Sequence, residues 1–466
     1  MNADSRTKAF LAAAGAISLA GPLAFGADAA APSRGRPNIV FILADDHGWA
    51  ETSFRMDPDI EHSSCPYYET PNLKRLAEQG MQFTDGYAPA PLCTPSRRSI
   101  QCGMTPARQK GTEFPSRFDP REHLTIPEAL KTVDPDYRCA HFGKWGENMR
   151  ATPCEAGYDE GDGITGNHTG NHRTWREKRL GLRTPGPPDV PVEDPKRSFS
   201  VTRRALDFML RQNRRERPFF VQISYYAVHG QILASAGALE TFKQKGRSPR
   251  HAPPEFGAML LDLDTCVGQI LDFLEEEGLA TNTYVIYSSD NGGAQYGHER
   301  LFLEHLAGRD PMALVEQWDN ADVKLPDNYP LRASKQYLYE GGIRVPFLAR
   351  GPGIEAGSLC REPVALYDLL PTFFELAGGT EPLPDEIDGG SLKPLFDQTG
   401  TVQRAMPGLV FHRPLLRFRK GKLHPAAATS AYRQGDLKLF VDWPYDKVHL
   451  YDLRNDPGEL LDLAEE

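Results

Sequence analysis

The chain has no excess of positive charge, no C-x-x-C pair, no internal repeat and no low-complexity tract. Each absence removes a class of protein. With 53 Lys and Arg against 63 Asp and Glu, the formal charge is −10, which argues against a nucleic-acid binder, a protein that needs a basic stripe to neutralise phosphates. A local basic pocket can still focus an anionic substrate. Without C-x-x-C spacing the cysteines do not form the usual zinc site. Beyond residue 30 no apolar run is long enough to span a membrane.

What is present reads as a globular protein. Hydrophobic residues make up 40% and charged residues 25% of 466 positions, a length that predicts one large domain and a smaller one. Arg6 and Lys8 precede an apolar stretch running from Ala9 to about Phe25, and Ala27, Ala29 and Ala30 suit a signal-peptidase cut. Residues 1–30 therefore read as an export signal, with a secreted or periplasmic product and no membrane span once the signal is removed. Gly15, Gly21 and Pro22 interrupt the stretch, which argues against an anchor. An exported protein is permitted disulfides. The seven cysteines, Cys65, Cys93, Cys102, Cys139, Cys154, Cys266 and Cys360, form an odd set whose pairing the sequence leaves open.

Apolar runs at 38–44, 218–226, 283–288 and 345–349 predict buried strands. Helical patterns run from Pro71 to Gln79, Ile126 to Thr132, Ser200 to Gln212 and Pro254 to Glu277. In the last, Met259, Leu260, Leu263, Val267, Ile270, Leu271 and Leu274 share one stripe. Strands alternating with helices predict an α/β layer architecture whose ligands gather beyond the carboxyl ends of the strands. Residues 160–198, rich in Gly, Pro, His and Arg, read as a surface excursion over the site. The Gly-Gly pairs at 292, 341, 378 and 389 mark turns. Past residue 400, segments 429–433, 437–441 and 449–453 predict a small antiparallel sheet.

Chemistry gathers at predicted strand ends. Ile39-Val40-Phe41-Ile42-Leu43-Ala44 ends in Asp45-Asp46, and Tyr284-Val285-Ile286-Tyr287-Ser288-Ser289 ends in Asp290-Asn291. These carboxylate and amide oxygens suit Ca²⁺ or Mg²⁺ rather than zinc. Either pair alone more often caps a turn. Cys93-Thr94-Pro95-Ser96-Arg97, read as a Cys in a Thr-Pro turn with a trailing Arg, gives them a partner.

Together these residues resemble the type I sulfatases of the alkaline phosphatase superfamily. Cys93-Thr94-Pro95-Ser96-Arg97 is similar to the family's Cys-x-Pro-Ser-Arg signature at every fixed position, and Pro37-Asn38-Ile39-Val40 with Asp45-Asp46 to its opening strand. Ser289-Asp290-Asn291-Gly292-Gly293 resembles its second metal segment. Lys335 with Tyr339-Glu340-Gly341-Gly342-Ile343-Arg344-Val345-Pro346 resembles its late lysine motif, and Leu450-Tyr451-Asp452-Leu453 with Asp456-Pro457 its ending.

The resemblance implies an α/β fold. It would consist of a large mixed sheet flanked by helices, over 36–395, with a smaller C-terminal antiparallel sheet in an α+β subdomain over 400–466. It implies that a maturing enzyme oxidises Cys93 to formylglycine, whose hydrate attacks sulfur with one hydroxyl and expels sulfate with the other. Asp45, Asp46, residue 93, Asp290 and Asn291 are implied ligands of Ca²⁺, with Mg²⁺ the lesser choice. Arg97 is implied to hold the nucleophile, Lys144 and Lys335 to bind sulfate oxygens, and His229 to protonate the leaving alcohol.

Two positions depart from the family pattern. Gly146 stands where the family usually carries His two residues after the motif lysine, and His141, Asn148, His168 and His172 are candidates for its role. Gln231 stands two residues after His229, where the family often has Pro. His168, His172, Arg173, Trp175, Arg176, Lys178 and Arg179 form a cation-and-aromatic set suited to a sulfated sugar. The expected reaction is hydrolysis of a sulfate ester, favouring a sulfated carbohydrate. The alternatives are a phosphonate or phosphodiester hydrolase of the same superfamily and an impaired binder of sulfated glycans.

Overall fold

The computed structural model describes residues 35–167, 169, 194–246, 253–294, 328–414, 418–419, 422–423 and 428–464. Residues 1–30, with the expected signal, and His168, His172, Arg173, Trp175, Arg176, Lys178 and Arg179 lie outside the described residues. The central layer is an eight-stranded sheet: β1 (Asn38–Ala44), β2 (Met81–Phe83), β3 (Arg138–Gly143), β4 (Glu160–Gly161), β5 (Phe219–Ser224), β6 (Thr283–Ser289), β7 (Phe347–Arg350) and β8 (Ser358–Cys360). Their spatial order is β4-β3-β5-β1-β6-β7-β2-β8. The run from β4 to β6 is parallel, and β7 pairs antiparallel with both β6 and β2. This is the mixed sheet the sequence predicts.

β1 is buried at every residue because both faces of the sheet are covered. Val40 and Ile42 pack into one core with Val201, Phe208, Leu263 and Ile270, from the Ser198–Asn213 and Pro254–Glu276 helices. Ile39, Phe41 and Leu43 pack into the other with Ile126, Leu130, Leu369 and Phe373, from the Ile126–Val133 and Leu369–Leu376 helices. Thr125 and Glu128 close a reciprocal cap on the Ile126–Val133 helix.

The structure adds strands that the sequence pattern missed. β2, β4 and β8 are three residues or fewer, too short to show a period. β3 was hidden because Arg138 and His141 interrupt its apolar pattern. Two expectations are corrected. Cys93-Thr94-Pro95-Ser96-Arg97 is not a turn but the first half of a helix, Cys93–Cys102, which tolerates Pro95 because a first-turn residue needs no intrahelical N–H bond. The Gly341-Gly342 pair likewise lies in the one-turn Glu340–Ile343 helix rather than a turn. None of the seven cysteines, all of them within the described residues, is in a disulfide.

The C-terminal sheet, β9 (Leu409–Arg413), β10 (Thr429–Gln434), β11 (Leu437–Asp442) and β12 (Lys447–Asp452), is antiparallel in that order. Leu409, Phe411, Ala431, Phe440 and Tyr451 bury one face against Tyr87, Leu338, Ile343 and Tyr367. Ions are buried there too. Lys438 Nζ lies 2.9 Å from Glu340 Oε1 and 2.8 Å from Glu459 Oε1, with all three side chains fully buried. Burial and the adjacent Glu340 push the Glu459 carboxyl up to about 7, against the pull of Lys438.

Replacing Lys438 by Met leaves two carboxylates buried without their shared cation, which should cost about 3–5 kcal/mol. A carboxyl raised in the folded state binds protons that the unfolded chain releases, so its penalty grows as pH rises from the normal carboxylate range towards neutrality. The Lys438→Met deficit, read by denaturant unfolding, should be larger at pH 8 than at pH 5. A deficit that widens towards acid contradicts this account.

Candidate active site

Four parallel strands, β1, β3, β5 and β6, release their chains at one edge of the sheet, and each delivers a polar side chain there. β1 and β6 pair in register to their last residues, Ala44 opposite Ser289. Asp45-Asp46 and Asp290-Asn291 therefore emerge side by side. Asp46 N donates to Asp290 Oδ1 at 3.3 Å, and Asn291 Nδ2 donates to Asp46 Oδ1 at 2.8 Å. Asp46 adopts φ 65, a left-handed conformation that Asp tolerates better than most residues. His47 holds the turn from behind, its ring 2.7 Å from Tyr287 Oη and 3.0 Å from Glu51 O. Burial lowers that imidazole to about 4, so it is neutral at physiological pH.

Cys93 enters the cluster from the Cys93–Cys102 helix, fully buried at its first turn. Arg97 lies one turn along on the same helix face. Its Nε donates to Asp290 Oδ2 at 2.7 Å, and its guanidinium also bonds the Lys144 carbonyl. Lys144 directly follows β3, and its Nζ donates to Asp45 Oδ2 at 2.5 Å. Lys335 Nζ lies 2.6 and 2.8 Å from the two oxygens of Asp46, while its backbone N donates to Gly293 O at 3.0 Å. Gly292 makes the turn between, where a Cβ would lie 2.1 Å from Gly341 O. His229 follows β5. Its Nδ1 donates to Gly230 O at 2.6 Å, which leaves Nε2 facing Asp46 Oδ2 at 3.8 Å.

Asp45, Asp46 and Asp290 thus face Arg97, Lys144 and Lys335, all within one buried site. Burial raises the Asp45 carboxyl, but Lys144, His229, Arg97 and Lys335 outweigh it and hold it below the ordinary range. Burial and Asp45 push Asp290 up to about 6 despite Arg97 and Lys144. The Cys93 thiol is raised, chiefly by burial, against the pull of Lys144 and Lys335. It is therefore protonated and a poor nucleophile as it stands.

Candidate ligand atoms of Asp45, Cys93 and Asp290 lie within 4.8 Å of one another, as do those of Asp45, Asp46 and His229. Asp45 Oδ1 and Asn291 Oδ1 are buried with no hydrogen-bond partner. Buried acceptors without partners are costly, and a hard cation would satisfy both. The donor set fits Ca²⁺ or Mg²⁺.

Every residue singled out in the strand-end and helix motifs is brought together here. Of the candidates to replace the family histidine, the two within the described residues, His141 and Asn148, are held elsewhere. His141 is packed against Trp145 and Tyr158, with Nε2 3.1 Å from Ser224 Oγ. Asn148 is exposed, its carbonyl accepting from Arg98. His168 and His172 lie outside the described residues. Gly146 itself has φ 148, and a Cβ there would meet Met149 Cγ at 3.1 Å. A histidine does not fit that backbone without rearrangement. Sequence reading also missed Lys196, which is 2% exposed in the neighbourhood of Asp45 and Asp46. It had no motif to announce it.

The sulfatase family model matches residues 37–379, and the model for the C-terminal part of N-sulphoglucosamine sulphohydrolase matches residues 333–466. N-acetylgalactosamine-6-sulfatase of Mus musculus is 30% identical over 413 residues, covering 83% of this chain and 69% of the relative. Arylsulfatase A of Homo sapiens is 29% identical over 471 residues, covering 91% and 82%. Among solved structures, Ps i-CgsB in complex with k-i-k-neocarrahexaose superposes with a TM-score of 0.70 at 25% identity, covering 92% of this chain and 89% of that one. The large mixed sheet with its small C-terminal antiparallel sheet is the alkaline phosphatase-like fold of these neighbours. The extent of the family match, joined to a relative aligned over most of both chains, places this protein in the sulfatase family as a type I sulfatase, a hydrolase of sulfuric esters.

Proposed function

We propose that the protein hydrolyses sulfate esters of carbohydrates, using formylglycine made from Cys93 and a calcium ion held by Asp45, Asp46, residue 93, Asp290 and Asn291. The observation that carries this reading is the buried oxygen cluster beside Cys93, with unpartnered lone pairs on Asp45 Oδ1 and Asn291 Oδ1. When bound, calcium would polarise the sulfuryl group and offset negative charge at position 93. Formylglycine would supply paired hydroxyls, one to take the sulfuryl group and one to expel it, in place of a thiol that burial keeps protonated. Cys93 is fully buried in the folded chain, so a maturing enzyme would act on it before folding is complete.

The remaining roles follow from charge and position. Arg97 neutralises Asp290 and fixes the loop of Lys144 through its carbonyl. Lys144 and Lys335 each carry three N–H donors, so bonding one aspartate leaves protons to hold the oxygens of an anionic sulfate. Their charge is fixed in place before the substrate arrives, which is what makes such stabilisation effective. His229 presents Nε2 to the cluster and, as imidazolium, protonates the departing alkoxide. Burial, joined by Lys144 and Lys335, lowers its basicity below the ordinary range despite Asp45 and Asp46, so its imidazolium gives up the proton readily.

A carbohydrate substrate is supported by the relatives, one an N-acetylgalactosamine-6-sulfatase and one solved with a neocarrahexaose. Sulfate released from a panel of sulfated mono- and oligosaccharides, read by ion chromatography, tests this. Matched phosphodiesters should be poorer substrates, and greater efficiency on them would sink the sulfate-ester reading.

Peptide mass spectrometry of active protein should find the residue-93 peptide lighter by about 18 Da, whereas the ordinary thiol oxidation ladder adds mass. Unmodified Cys93 in active protein defeats the formylglycine mechanism. Chelation with EGTA should abolish turnover and Ca²⁺ should restore it. Asp290→Asn, which removes one charge from the ligand set, should raise the Ca²⁺ concentration needed for half-activation by about tenfold or more. Full activity in EGTA would exclude a calcium requirement.

A further inference from the structure

A lysine is seldom buried without purpose, because desolvation disfavours its charge. Lys196 is 2% exposed. Burial brings its ammonium down to about 7, with Asp45 and Asp46 pulling it back up and Lys144 pushing it further down. It therefore stands within the field of the site, yet no step assigned so far uses it. Its Nζ donates to the carbonyl of Gln231 at 3.0 Å, two residues beyond His229.

The turn that carries Lys196 is firmly built. Asp194 accepts from Phe199 N at 3.1 Å and Ser200 N at 2.8 Å, and Arg197 N donates to Asp194 O at 3.0 Å. This fixes Lys196 to the start of the Ser198–Asn213 helix. The same helix holds the far side of the His229 segment, where Thr202 Oγ1 lies 2.7 Å from Tyr225 Oη. Ahead of His229 the chain is stapled to β1's extension by Asp45 N to Ala227 O at 2.9 Å and Val228 N to Asp45 O at 2.6 Å. Behind it, Gly230 O anchors the imidazole Nδ1, and Lys196 grips the next carbonyl. The direction of Nε2 thus depends on two successive carbonyls, one held by Lys196. Gln231 is also where this chain lacks the proline that would stiffen the backbone unaided.

We propose that Lys196 is a positioning residue for the known reaction, clamping the Gly230-Gln231 backbone so that His229 Nε2 points at the leaving-group oxygen. The inference rests on the reading of His229 as general acid. Misplacing an acid matters only where the leaving group needs its proton. Lys196→Met, close in volume and unable to donate, should therefore act selectively.

The test is a series of phenyl sulfates from 4-nitrophenyl to unsubstituted phenyl, turned over by calcium-loaded, formylglycine-containing enzyme. Lys196→Met should keep kcat on 4-nitrophenyl sulfate within about threefold and lose about 10- to 100-fold on phenyl sulfate, steepening the leaving-group dependence. Lys196→Arg, which keeps a donor, should recover most of the loss. His229→Asn should steepen the dependence further, and adding Lys196→Met to it should cost less than about twofold more, because the two act as one unit. Equal losses across the series, or a Lys196→Met loss that persists undiminished in the His229→Asn background, overturn the positioning role while leaving His229 as the acid. A His229→Asn variant with an unchanged leaving-group slope overturns the general-acid reading itself, and the clamp with it.

Discussion

Three carboxylates buried within reach of one another, Asp45, Asp46 and Asp290, set the terms for the rest of this structure. Left alone they would repel and take up protons. Each is met by a cation from a different part of the chain: Lys144 from the end of β3 on Asp45, Lys335 from beyond Gly293 on Asp46, and Arg97 from the Cys93–Cys102 helix on Asp290. The compensation is incomplete, since burial and Asp45 still push Asp290 up to about 6. A site whose anions are almost balanced by fixed protein cations becomes strongly positive once a divalent ion joins it. Such a site suits an anionic ester.

The register of β1 against β6 makes this possible. A one-residue slip would send Asp290 and Asn291 to the wrong height and reverse which side chains face each core. Register is secured by burial on both faces, with Ile39, Phe41 and Leu43 in one core and Val40 and Ile42 in the other. The site is thus specified by residues that never touch substrate. The same holds for the C-terminal sheet. Arg413, at the end of β9, bonds the carbonyl of Gln336 and Glu113 Oε1, so the sheet braces the residue after Lys335. The buried Glu340-Lys438-Glu459 group fixes the helix that follows that lysine.

Much of this was legible in order along the chain. The runs at 38–44 and 283–288 became β1 and β6 almost to the residue, and the stripe from Met259 to Leu274 became the Pro254–Glu276 helix. Long buried elements declare themselves because both faces demand apolar side chains. β2, β4 and β8 did not, being too short to show a period, and β3 did not, because Arg138 and His141 break its pattern. The signature around Cys93 marked the proposed nucleophile position but misled about its backbone, since Thr-Pro suits a turn and a helix first turn equally well.

By itself the sequence determined the chemistry on offer: hard oxygens at two strand ends, a special cysteine and a set of cations. Those identities are local, and each is set by residue type. Only the tertiary structure decided which cation answers which carboxylate, because that depends on contacts between residues as much as 289 positions apart, as for Lys335 and Asp46. It also showed that Gly146 sits at φ 148, a backbone that strains any side chain, with Met149 Cγ 3.1 Å from where a Cβ would lie. And it brought forward Lys196, a residue with no motif, whose importance comes entirely from burial beside His229's loop.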